Sequence, residues 1–214
     1  MRPAAVVFDI DGTLLDSAPG IVAGFQHALR SVGFEPPDEA TLRSDLGPPI
    51  GVLLTSLGLP ADRLEDAIDD YRTFYAAHGQ HQAGVYPGIV DLLTALDGRV
   101  RLGTATAKRT DIAESILRTH GLAGRFVAIV GTDPVRSTKA ETIGHALTRL
   151  GDPDPGTVWM VGDRHSDIAG GQACGVRTVA VSWGYGSRAE LTAAAPDELI
   201  DHPRQLLELL DSTR

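Results

Sequence analysis

The sequence predicts an α/β protein, a doubly wound parallel sheet covered by helices on both faces, with a helical domain inserted into it. Three observations carry this. Short apolar runs bounded by turn residues recur along the chain. Amphipathic segments alternate with them, as in a sheet wound by crossover helices. One interval, between Ser17 and Gly84, breaks the alternation with helical patterning and no convincing strand.

Ala4–Phe8 reads as the first strand, apolar throughout and ended by Gly12 soon after it. Helical patterning follows in Ile21–Val32, Glu39–Asp45, Ile50–Leu57 and Ala61–His78, punctuated by Pro36-Pro37 and Gly47-Pro48-Pro49. This is too much chain for one crossover. Residues 17–83 are therefore assigned to a helical domain, entered near Asp16–Pro19 and left near Ala83–Pro87. Residues 1–16 and 84–214 make the α/β core. There Val100–Thr104, Phe126–Val130, Val158–Val161 and Thr178–Ser182 read as buried strands, with Glu198–Asp201 a weak sixth. Gly88–Leu96, Arg109–His120, Lys139–Leu150, Ser166–Cys174 and Arg188–Ala194 read as the helices between them.

At 214 residues the chain has length enough to bury a sizeable core. Its net charge of −9 argues against a nucleic-acid partner, which calls for a basic face. An anionic ligand must then be drawn in by local cations. No apolar run reaches the ~18 residues of a membrane span, and no signal-peptide pattern opens the sequence. The expectation is a cytoplasmic protein with no membrane partner. The lone Cys174 leaves no internal disulfide and no cysteine metal cluster, and reads as a small buried hydrophobe. Of the 19 basic residues only Lys108 and Lys139 are lysines. A compact ammonium is not freely exchanged for a guanidinium, so each invites a role.

Asp9 and Asp11 stand at the C-terminal end of the first strand, where parallel sheets bind ligands. Two carboxylates held close repel unless a cation or a shared proton joins them. The pair implies a divalent metal, an acid/base role, or both. A plainer reading is a hairpin turn at Asp11-Gly12. It loses weight because an apolar strand again ends in Gly162-Asp163, with Asp167 four residues on. Four acids from two strand ends make a hard-oxygen set that suits Mg²⁺ better than zinc. Taken singly, Asp163 also reads as a helix cap and Asp167 as a first-turn acid. Thr106, in the small hydroxylated turn after Gly103, suits phosphate oxygens or a helix N-cap. Lys139 opens a helix, either as an anion ligand or as a solvated surface charge. Gly184–Ala189 fits a GxGxxA dinucleotide fingerprint, but too little chain follows it to build a nucleotide-binding half.

In chain order, a DxD pair, a threonine, a lysine and a GD-x3-D pair at strand ends and helix starts resemble the haloacid-dehalogenase superfamily over essentially the whole chain. Asp9-Ile10-Asp11-Gly12-Thr13 matches its first motif, Thr106 its second, Lys139 its third, and Gly162-Asp163 with Asp167 its fourth. The helical insertion lies where the superfamily's first cap type belongs. Gly47-Pro48-Pro49, Tyr86-Pro87-Gly88, Gly162-Asp163-Arg164 and Trp183–Ser187 are similar to the phosphoglycolate-phosphatase-like group.

The resemblance implies a Rossmann-like core with a helical cap, and Mg²⁺-dependent hydrolysis of a small phosphomonoester such as 2-phosphoglycolate. It implies Asp9 as the nucleophile that becomes an aspartyl-phosphate. It implies Asp11 as the acid for the leaving alcohol and then the base for water. Asp9, the Asp11 backbone carbonyl, Asp163 and Asp167 hold the metal, and Thr106 and Lys139 hold the phosphoryl oxygens. In the cap, Arg43 and Gly47 are assigned to the leaving group, with Arg43 meeting a substrate carboxylate. A solvated helix residue is the plainer reading of Arg43. A 5'-nucleotidase or a phosphatase of a biosynthetic intermediate are the alternative activities. No lysine precedes Lys108, which removes the Schiff-base chemistry of the superfamily's phosphonatases. The complete set of acids stands against a non-catalytic regulator.

Overall fold

The computed structural model describes residues 3–212. The chain forms two compact units, one from the segment up to Leu15 together with the chain from Val85 onward, the other from Asp16–Gly84. Its strands are β1 (Ala5–Phe8), β2 (Leu15–Asp16), β3 (Gly84–Val85), β4 (Arg101–Thr104), β5 (Val158–Gly162), β6 (Arg177–Val181) and β7 (Glu198–Ile200). Its α-helices are α1 (Ala18–Ser31), α2 (Glu39–Ser44), α3 (Ile50–Ser56), α4 (Leu64–Ala77), α5 (Ile89–Leu96), α6 (Thr110–Thr119), α7 (Lys139–Arg149), α8 (His165–Ala173), α9 (Arg188–Ala193) and α10 (Pro203–Ser212).

The first unit is a parallel sheet in the order β4-β1-β5-β6-β7. All four residues of β1 are buried, which explains its unbroken apolar run: a strand covered on both faces has no polar side to show. On one face Ala5 and Val7 pack with Val158 and Met160 of β5 and with Ile143 and Ala146 of α7. After β1 the chain winds to β4 on one side, then crosses back to β5 on the other, so the winding reverses at β1. Strand ends at such a switch point are where open α/β sheets bind ligands. The parallel register sets Phe8 beside Val161, so both strands deliver their following residues to one edge.

Several elements differ from the sequence reading, the two-residue strands β2 and β3 among them. Phe126–Val130 is not a strand. It runs beside β4 with single hydrogen bonds, Val127 N to Leu102 O at 2.8 Å and Thr104 N to Ala128 O at 2.9 Å. The Thr104 hydroxyl accepts the Val130 N–H at 3.0 Å, a side chain standing where a ladder needs a carbonyl. Helix α10 lies beyond the helices expected from the sequence, although its leucines recur at helical spacing. It forms because Leu206 and Leu210 are buried. The weak sixth strand is present as β7.

The second unit is helical. In it α1 packs on α4, and the fit depends on small residues. Gly24 leaves room for the Tyr71 ring, which lies 4.7 Å from the Phe25 ring. Gly20 brings α1 against the backbone of Gly79, and a Cβ there would overlap the Gly79 carbonyl. Asp38 caps α2 by accepting the Thr41 N–H at 2.7 Å. Among the described residues no helix is long and apolar enough to cross a membrane.

These contacts give opposite expectations for two glycines on helices. Gly20→Ala has no space and should lower stability by about 1–3 kcal/mol. Gly144→Ala, on α7 with nothing within 4 Å of the added methyl, should be neutral or raise stability by up to about 1 kcal/mol. Urea unfolding of both variants checks the pair. Equal midpoints would refute the close approach at Gly20.

Candidate active site

The site grows from the ends of β1 and β5. Asp9 follows β1, and its Oδ1 accepts the N–H of Ile10 at 2.7 Å. Asp163 follows β5. Its Oδ1 accepts the Thr13 hydroxyl at 3.0 Å and its Oδ2 the Tyr185 N–H at 2.8 Å. Asp167 sits in the first turn of α8, where its Oδ2 accepts the Arg164 N–H at 3.0 Å. The plainer reading of Asp167 is thus correct for one oxygen, while the other faces Lys139 at 2.7 Å. Asp163 is not the cap of α8; Arg164 holds that position.

Backbone without side chains makes this crowding possible. Gly12 has φ +80, a left-handed conformation that glycine adopts freely. A Cβ on it would strike the Asp163 carboxylate. A Cβ on Gly162 would strike Asp167, and one on Gly184 would strike the Gly12 carbonyl and Asp163. One oxygen each from Asp9, Asp163 and Asp167 lies within 4.8 Å of the others, and all three residues are buried.

One cation is built into this cluster. Lys139, at the start of α7, has a side chain only 7% exposed. Its Nζ lies 3.2 Å from Asp9 Oδ1 and 2.7 Å from Asp167 Oδ1, and donates to the Ala105 carbonyl at 3.0 Å. Thr138 and Glu141 hold that helix start in a reciprocal capping box. Burial alone would lower the proton affinity of Lys139, but Asp167 and Asp9 outweigh it and keep the ammonium charged. Burial pushes Asp9 up to about 6; Lys139 opposes the rise, while Asp167 and Asp11 add to it. Asp163 is raised well above the usual carboxylate range by burial and then by Asp167 and Asp9, against its bonds from Tyr185 and Thr13. Three buried carboxylates around one ammonium leave an excess of negative charge. All their ligand atoms are hard oxygens. That donor set fits Mg²⁺.

The other predicted residues fall as follows. The Asp11 carboxylate is not one of the three clustered acids, and its Oδ2 lies 3.0 Å from Lys108 Nζ. Thr106 is buried after β4, and its hydroxyl accepts the Lys108 N–H at 3.3 Å. It caps no helix, since α6 begins after Arg109. Arg43 and Gly47 belong to the helical unit. Arg43, on α2, pairs with Asp16 at 2.9 Å, and Gly47 follows with φ +128.

Sequence reasoning missed three partners. Lys108 was noted only as a rare lysine. Tyr185 lies in the glycine-rich segment that mimics a dinucleotide fingerprint. Glu190, on α9, carries no motif, yet its Oε1 takes the Arg164 Nε–H at 2.9 Å and the His165 N–H at 3.0 Å. It thereby braces the turn that presents Asp163 and Asp167.

Residues 6–181 match the family model of haloacid dehalogenase-like hydrolases. The tyrosine-protein kinase PtkA of Mycobacterium tuberculosis is 39% identical over 213 residues, covering 98% of this chain and 72% of that protein. A 5'-nucleotidase of Pseudomonas aeruginosa is 35% identical over 221 residues, covering 99% of this chain and 100% of that one. The solved structure of a haloacid dehalogenase-like hydrolase from Streptococcus pneumoniae superposes with a TM-score of 0.92 at 31% identity, over 97% of this chain and 98% of that chain.

The acid cluster has a consequence for stability. Folded Asp9 and Asp163 hold protons at pH values where the unfolded chain has released them. Their contribution to stability therefore falls as pH rises above about 4. For Asp9 the fall runs through about 6, and for Asp163 over a range that also starts at the ordinary carboxylate value and ends above it. In chelator, Asp163→Asn should gain stability over the wild type, little at pH 4 and more at pH 7. Adding Mg²⁺ at pH 7 should raise the wild-type Tm and leave the variant nearly unmoved. Thermal melts across pH test this. A variant no more stable than the wild type at pH 7 in chelator would contradict the repulsion.

Proposed function

The chain belongs to the haloacid dehalogenase-like hydrolase family and is a phosphoric monoester hydrolase, and from that premise we propose that it cleaves small phosphomonoesters with Mg²⁺ through an aspartyl-phosphate on Asp9. The leading substrate is 2-phosphoglycolate. The observation that supports this most is the Lys139 ammonium set between Asp9 and Asp167, with Asp163 beside them. A phosphoryl dianion cannot approach three carboxylates unaided. Lys139 supplies one positive charge. Asp9, Asp163, Asp167 and the Asp11 backbone carbonyl would hold Mg²⁺, which would supply further positive charge to the phosphoryl oxygens.

The protein's own groups then act in two steps. The Asp9 carboxylate attacks phosphorus and the bond from phosphorus to the alcohol oxygen breaks. The proton on Asp11 passes to that oxygen. Water next attacks the phosphorus of the acyl phosphate and gives a proton to Asp11. The bond to Asp9 breaks, and both acids return to their starting states. One ester and one water have become one alcohol and one phosphate. Lys139 and Thr106 oppose the charge on the phosphoryl oxygens throughout.

A second reading rests on the 39% identity to a protein named a tyrosine-protein kinase. On it a tyrosine hydroxyl replaces water as the acceptor and ATP is the donor. The two separate in one experiment. The purified chain is given Mg²⁺ with phosphoglycolate, nucleoside monophosphates and sugar phosphates, and in parallel with ATP. Phosphate release from the small esters supports hydrolysis. Phosphotyrosine formed from ATP without such release supports the kinase reading.

Asp9→Asn keeps the shape and removes the nucleophilic charge, so kcat should fall on the order of 10³-fold or more. A variant that retains a tenth of the wild-type kcat would remove Asp9 as the nucleophile. Activity should vanish in EDTA and return with Mg²⁺. For the substrate carboxylate we retain Arg43, with Gly47 shaping the turn beyond it. Arg43→Ala should lower kcat/KM for phosphoglycolate about 10-fold more than for p-nitrophenyl phosphate. Equal losses on both esters would make Arg43 structural or a phosphoryl contact and remove it as the carboxylate's partner.

A further inference from the structure

Asp9 and Asp11 are each matched with a lysine, and the chain has no other lysines. Lys139 serves Asp9. Lys108 Nζ lies 3.0 Å from Asp11 Oδ2, and the two side chains are 9% and 20% exposed. The other oxygen, Asp11 Oδ1, is buried and has no hydrogen-bond partner among the described residues. The Lys108 backbone is held from both sides. Its carbonyl accepts the Thr132 N–H at 2.9 Å and its N–H donates to Thr106 Oγ1 at 3.3 Å. Gly131 packs so close that a Cβ there would overlap the Lys108 carbonyl.

We propose that Lys108 is a positioning residue that selects which oxygen of Asp11 handles the proton. The inference rests on the hydrolase reading above. An ammonium has three donors and no acceptor. An Asp11 Oδ2 facing it can accept but has nothing to donate to. The proton of the acid form therefore sits on Oδ1, the oxygen without a protein partner. In the first step that proton goes from Oδ1 to the departing alcohol oxygen. In the second step a proton of the attacking water returns to Oδ1. Lys108 neither gives nor takes a proton and touches no reacting atom. It fixes the acid in one arrangement through both half-reactions.

The leaving group tests this. An alkoxide needs a proton to depart, whereas p-nitrophenolate leaves with little help. The kcat/KM of wild type, Lys108→Met and Lys108→Gln is measured on p-nitrophenyl phosphate and on the alkyl phosphate the wild type hydrolyses best. For both neutral variants the alkyl ester should lose about 10-fold or more beyond the loss on p-nitrophenyl phosphate. Lys108→Arg keeps a donor-only partner, so its ratio of the two values should stay within about 3-fold of wild type. Lys108→Met should add no further loss on the alkyl ester when Asp11 is already Asn. Lys108→Gln and Lys108→Arg carry the comparison if the apolar variant does not fold. Equal losses on the two esters would make Lys108 a phosphoryl ligand and overturn the proposal. So would losses that add to those of Asp11→Asn. A wild type inert toward both esters in Mg²⁺ would instead overturn the hydrolase reading, and this inference with it.

Discussion

The first unit is organised around one buried ammonium. Lys139 reaches from the start of α7 to carboxylates that arrive from β1 and α8, elements far apart in sequence. Without it, three acids with little or no contact with solvent would repel at short range. With it, their charge is reduced but not cancelled, and the remainder favours a divalent cation. The helix start that carries Lys139 is itself fixed by its capping box, and its ammonium is tied to the Ala105 carbonyl. A freely rotating surface lysine would not hold the acids in one geometry. Here the ammonium has three short contacts and a capped helix start behind it.

The fold was largely legible because parallel strands buried on both faces write continuous apolar runs, and β1 and β5 do so plainly. Asp9, Asp163 and Asp167 were legible for a related reason. A carboxylate just past such a run stands at a strand end or helix start, where local sequence fixes position. Phe126–Val130 misled because its composition suits a strand while a single threonine side chain, Thr104, takes the bond that pairing needs. The pairing of Lys108 with Asp11 was beyond reach. It joins residues nearly a hundred positions apart, and nothing in either neighbourhood announces the other.

The segment from Trp183 to Glu190 shows how a motif can be informative for the wrong reason. Its glycines fit a nucleotide fingerprint. In the fold they let the chain pass tightly against Asp163, where the Tyr185 N–H binds the carboxylate. The Trp183 indole N–H reaches the Thr13 carbonyl at 3.0 Å, and Glu190 braces the turn after Asp163. The segment therefore supports the acids from behind. Close backbone approach is the physical content that the glycines share with the fingerprint, and only the object approached differs.

Gly12, Gly162 and Gly184 have a meaning on an evolutionary timescale. Any missense change at a glycine codon adds a Cβ, and at these three positions the Cβ lands on an acid or on the main chain beneath it. Most surface positions tolerate drift and so accumulate history. These do not, because the fault lies in the first atom added, whatever follows it. Lineages carrying this chain are free to rewrite exposed positions of the helical insertion residue by residue, though not Gly20 or Gly24. The floor under the carboxylates offers them no intermediate genotype.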